Sequence, residues 1–144
     1  LGENTHPTHL PPLSVEVAFD FKSANRINPS YNPKSKIQNL KLAYGIAALL
    51  MPYLTGLTVI ERSIKGTSFG FDFWLGSIDD PNSLFQRKAR LEVSGIRRGS
   101  ESIIKSRVKM KLEQISPSDT LSPGYVCVVE FGTPRTHIVE KCKT

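Results

Sequence analysis

Two acids, Asp72 and Glu92, sit inside short apolar runs that read as buried strands. The runs are Gly70-Phe71-Asp72-Phe73-Trp74-Leu75 and Ala89-Arg90-Leu91-Glu92-Val93-Ser94-Gly95. A carboxylate is costly to bury unless a partner compensates its charge. Acids planted in two neighbouring strands therefore constrain the fold: it must bring them to a common cation, to basic side chains or to a wet cleft.

Periodicity around these runs predicts an α/β chain. Val15, Val17, Phe19 and Phe21 alternate with polar residues, which predicts a half-wet strand from Leu13 to Lys22. Ile37, Leu40, Tyr44, Ala47, Ala48 and Met51 recur at helical spacing, with Ser35 as N-cap and Pro52 as the expected stop. Leu57 to Ser63, the Asp72 run and residues 87 to 95 form three successive strands. The first two are joined by a turn at Lys65-Gly66-Thr67-Ser68, and a loop from Gly76 to Phe85 leads into the third. Ser100 and Glu101 open a second helix, through about Gln114, whose buried stripe is Ile104, Val108, Leu112 and Ile115. Tyr125 to Phe131 is an apolar strand, and Thr136 to Lys141 adds a short edge strand. The expectation is a single domain over residues 13–144, a central mixed β-sheet flanked by helices, behind a flexible segment of residues 1–12 that holds three prolines.

Charge narrows the partners. The formal net charge is +6, and nine of the 19 basic residues fall between positions 87 and 111, where Glu92 and Glu101 are the only acids. Such a block attracts polyanions. The bland alternative is a solvated face. The longest apolar tract, Ile46 to Met51, is too short to span a membrane and is followed by Pro52, so no membrane association is expected. Two cysteines make no disulfide framework, which fits a cytoplasmic, nucleoid or nuclear setting, and the start at Leu1 without Met reads as a processed or excised piece. There is no Cys/His cluster with zinc spacing, no Ser/His/Asp pattern and no phosphate-cradling Gly loop. Trp74 reads as core, His137 as structural or solvated, and Asp79 and Asp80, before Pro81, as loop residues.

Residues 35 to 131 resemble the nuclease core of the PD-(D/E)xK superfamily, the fold of restriction endonucleases and archaeal Holliday-junction resolvases. The resemblance lies in order and placement: a helix, a three-strand meander with an acid on its second strand and a Glu-x-Lys motif on its third, then a helix and a strand. Asp72 takes the place of the first acid and Glu92-Val93-Ser94 that of the second motif, with Ser94 where the family carries lysine. The resemblance implies a restriction-endonuclease-like core that cuts nucleic acid, DNA before RNA, with Mg2+ or Mn2+. It also implies a possible homodimer or a place in a larger assembly. Asp72 and Glu92 would hold the metal, with Glu61 as an auxiliary acid and the Val93 carbonyl as a further ligand. Lys105 or Lys109, from the following helix, would stand in for the missing lysine. Arg87, Lys88, Arg90, Arg97, Arg98, Lys105 and Lys109 would face nucleic acid. Two alternatives stay open: a catalytically inactive nuclease-like module that binds nucleic acid or a protein, and a protein-binding domain that pairs through the strand at residues 13–22.

Overall fold

In a computed structural model, residues 14–18, 34–64, 70–80, 82 and 85–143 are described. The expected N-terminal segment, the continuation of the first strand beyond residue 18, and the turn at 65–68 lie outside the described residues. Six strands and two helices follow in order: β1 (Ser14–Ala18), α1 (Lys36–Thr55), β2 (Leu57–Arg62), β3 (Phe73–Ser77), β4 (Ala89–Ile96), α2 (Glu101–Gln114), β5 (Gly124–Glu130) and β6 (Arg135–Lys141). They form an α/β structure with one mixed sheet, ordered β1-β6-β5-β4-β3-β2. β2, β3 and β4 make an antiparallel meander, α2 crosses over to set β5 parallel to β4, and β6 returns antiparallel to β5.

The two helices cover opposite faces of the sheet. Ala43, Ala47 and Met51, spaced four apart on α1, pack with Leu75, Leu91, Val93, Cys127 and Val129. Ile104, with Ile115 just past α2, packs with Ile96, Val126 and Val128. Alternate residues of β5 thus enter different cores, which is why its apolar run is unbroken. Full burial of a Leu or Ile here stabilises the fold by about 1.5–3 kcal/mol per side chain.

Local chemistry sets the helix ends. Ser35 Oγ accepts the N–H of Gln38 at 3.2 Å and caps α1. Pro52 does not stop the helix. Thr55 Oγ1 donates to the Met51 carbonyl at 2.6 Å, and Gly56, at φ 70°, closes the end by donating its N–H to the Pro52 carbonyl at 3.0 Å. A second difference concerns β6, expected at the edge. It lies between β5 and β1, with Thr136 and Ile138 fully buried, because β1 pairs along its outer side. No helix among the described residues is long and apolar enough to cross a membrane.

Candidate active site

β3 begins short of the end of β4, and the site lies at that gap. Phe73, the first residue of β3, pairs with Leu91, and β4 runs on past it to Ile96. Asp72 finishes the ladder in two ways. Its N–H donates to the Leu91 carbonyl at 2.9 Å, and its Oδ2 accepts the N–H of Val93 at 2.8 Å, where a longer β3 would have offered a backbone carbonyl. Tyr44, from α1, donates its hydroxyl to Asp72 Oδ1 at 3.1 Å and packs edge-on against Phe73. Burial, and then the Asp72 charge, push the Tyr44 phenol up to about 12.

Glu92 enters from the other face of β4 and is 3% exposed. Its Oε1 accepts from Lys111 Nζ at 2.5 Å and from Gln114 Nε2 at 3.1 Å, both on α2. Gln114 also donates to the Gly70 carbonyl at 2.8 Å, which ties the approach to β3 against α2. Gly70 sits at φ 68°, and a Cβ there would lie 2.5 Å from the Gln114 carbonyl oxygen, so glycine is required. Burial lifts the Glu92 carboxyl to about 7, and the neighbouring Asp72 carboxylate adds to the rise against the pull of Lys111. Glu92 thus lies within reach of the Asp72 charge, as a carboxyl near a second carboxylate does.

Both acids open on a cleft of about 710 Å³ between the N-terminal end of α1 and one flank of α2. Its cationic lining is Lys34, Lys36, Arg97, Arg107 and Lys111. Gly95 lets α1 come close at its floor, since a Cβ there would meet the Asn39 carbonyl oxygen at 3.2 Å. Ser94 is buried, and its Oγ accepts from Arg107 Nη1 at 2.8 Å.

Of the basic residues named from sequence, only Arg97 lines this cleft. Arg90 is fully buried and bonded to Asp119, Ser118 and the carbonyls of Ile115 and Ser122, so it is closed to phosphate. Lys105 and Lys109 line a separate groove on the opposite flank of α2, beside β1 and β6, because a two-residue step turns about 200° round a helix. Lys105 thus lies away from the cleft that holds the two acids, whereas Lys111 lines it. Arg87 and Glu61 form a two-pronged exposed pair at 2.7 and 2.9 Å, with Arg87 also over the Trp74 ring, and Glu61 is absent from the cleft lining. Lys88 and Arg98 are exposed and likewise absent from it. Trp74 packs edge-on against Phe71, and His137 lies 3.2 Å from Glu16 on β1. Asp80 accepts the N–H of Asn82, and both cysteines are free. Lys34, Lys36, Arg107 and Lys111 were not assigned to the site from sequence, Arg107 and Lys111 counting only as part of the basic block, although one signal existed. Glu92 and Ser94 make one face of β4 polar, so the helix crossing that face must answer with polar side chains at helical spacing, here 107, 111 and 114.

Asp72 and Glu92 supply hard oxygen donors, and Val93, whose N–H points to Asp72, turns its carbonyl to the same side. That chemistry fits a hard divalent cation, which would relieve the repulsion that lifts Glu92. Among the described residues no group of three or more His, Cys, Asp or Glu gathers to hold a metal, so such an ion would rely on two side chains, backbone and water. No family model, curated protein or solved structure matches the chain.

Proposed function

We propose that this chain is a nuclease-like domain with a restriction-endonuclease-like core of the PD-(D/E)xK kind, hydrolysing phosphodiester bonds in DNA with Mg2+ or Mn2+. The observation that carries the reading is the meeting of Asp72 and Glu92 in a cleft whose other charged side chains are all cations. The order helix, meander, helix, strand supports the same topology.

Asp72, held by Tyr44 and the Val93 N–H, and Glu92, held by Lys111 and Gln114, are the residues that would hold the ion. When bound, such an ion would supply a water of lowered pKa and would neutralise charge at phosphorus. Lys111 stands in for the lysine that Ser94 replaces, steadying negative charge as it develops on the phosphate. Plasmid, single-strand and branched DNA incubated with Mg2+ or Mn2+ should be cut by the wild type. Cleavage should be lost in Asp72→Ala and Glu92→Ala, and should fall on the order of a hundredfold in Lys111→Ala. Cleavage that survives both acid substitutions removes the reading. Salt-sensitive DNA retention without cutting would assign the inactive binding module instead, which Lys111 favours by being engaged twice, with Glu92 and with Gln114 at 2.9 Å.

A further inference from the structure

We propose that Arg107, steadied by Ser94 and joined by Arg97 and Lys36, forms a phosphate subsite beside the carboxylate pair and holds the phosphate next to the one cut. The inference rests on the nucleic-acid reading above and adds to it where the strand runs.

None of the ion pairs among the described residues involves Lys36, Arg97 or Arg107, although all three line the cleft. Arg107 is also the best oriented of them. One of its N–H groups is spent on the buried Ser94 hydroxyl, which fixes the guanidinium plane and leaves other donors of its fork for an anion. Ser94 therefore does more than vacate the motif position: it anchors a cation arriving from α2. Lys36 opens α1, where the helix dipole disfavours positive charge, and the first turn of α1 carries no acid to offset it. An anion in the cleft resolves that conflict.

Spacing makes the ligand a strand rather than a lone phosphate. Glu92 and Ser94 are two residues apart on β4, so they lie about 7 Å apart on one face. Arg107 and Lys111 repeat that offset one turn apart on α2. Neighbouring phosphates on a sugar–phosphate backbone are separated by a distance of this size. One phosphate would rest on Lys111, beside the ion that Asp72 and Glu92 would hold, and the next on Arg107.

The test is fluorescence anisotropy with a short labelled DNA duplex in EDTA across a salt series, with inorganic phosphate as competitor. Arg107→Gln should weaken binding roughly tenfold and reduce the slope of log K against log salt by about 1. Arg107→Lys, which keeps the charge, should keep the slope while losing part of the affinity. Lys109→Gln, on the opposite flank of α2, should leave the slope unchanged. Mn2+ titration should lose binding in Glu92→Gln and be unaltered in Arg107→Gln. Wild-type affinity and slope in Arg107→Gln, with the wild-type protein retaining the duplex, overturn the subsite and leave the cleavage reading standing. Displacement by inorganic phosphate at the duplex's own affinity also overturns it, since the ligand is then not a strand. Failure of the wild type to retain the duplex, in EDTA and with Mn2+ alike, removes the nucleic-acid reading and the subsite with it.

Discussion

Arg90 and Glu92 stand two residues apart on the same face of β4, both buried though Glu92 borders the cleft, and α2 with the turn after it treats them in opposite ways. Arg90 is enclosed by acceptors: the Ser122 carbonyl at 3.0 Å, the Ile115 carbonyl at 2.8 Å, Ser118 Oγ, and Asp119 Oδ1 at 3.0 Å. Asp119 is closed in turn by Lys141 at 2.6 Å, which ties β6 to the turn after α2. Glu92 has two donors on α2 but a second acid on its other side. One network is satisfied and serves stability; the other leaves a carboxylate whose burial and acidic neighbour favour the protonated form. The contrast separates a buried charge that its surroundings offset from one that they offset only in part, which is where the proposed ion would act.

Removing Asp119 should have the larger effect. Asp119→Ala strands Arg90 in the core and is expected to cost about 3–5 kcal/mol in urea denaturation. A loss below about 1 kcal/mol would erase the distinction drawn here. Glu92→Gln should act the other way on the metal-free protein at pH 8, stabilising it by about 1–2 kcal/mol, because a carboxyl lifted to about 7 withholds stability once ionised.

The pH dependences then have opposite signs. Burial works to raise the Asp119 carboxyl, but hydrogen bonds from Lys141 and Arg90 overcome it and hold the carboxyl below its usual value. Its contribution is full above the unfolded pKa and is lost as pH falls through the lowered one. Glu92 is raised, so between its ordinary value near 4.5 and about 7 the folded state binds more protons than the unfolded chain, and stability falls as pH rises. Melting curves from pH 4.5 to 8 should show that decline in the wild type and not in Glu92→Gln. Mn2+ should raise the melting temperature of the wild type at pH 8 and leave Glu92→Gln unmoved.

The smallest effect sharpens how the acid pair is aimed. Tyr44→Phe deletes one hydrogen bond to Asp72 and should cost about 1 kcal/mol, since the Val93 N–H still holds the other oxygen. Cleavage should fall more than stability does, a split read by comparing kcat with the denaturation midpoint.

Much of the scaffold was legible before any coordinates, because its signals are local. Ser35 as a cap, the helical spacing through Ala47 and Met51, and the unbroken apolar run of β5 each depend on neighbours within a few residues. The acid pair was legible too, since a carboxylate inside an apolar run must meet a partner, although Asp72 lies half-buried just before β3 rather than within a buried strand. Its cations were not. Lys105 and Lys109 differ from Arg107 and Lys111 by two residues, a step that turns a helical side chain to the other flank, and only the packing of α2 over β4 selects the flank. The role of Arg90 depended on a turn 29 residues away, and the interior place of β6 on a strand from the far end of the chain. Sequence pattern thus determined the elements and the two acids. The tertiary structure decided which positive charges answer them, because sidedness is set by contacts between residues distant in the chain.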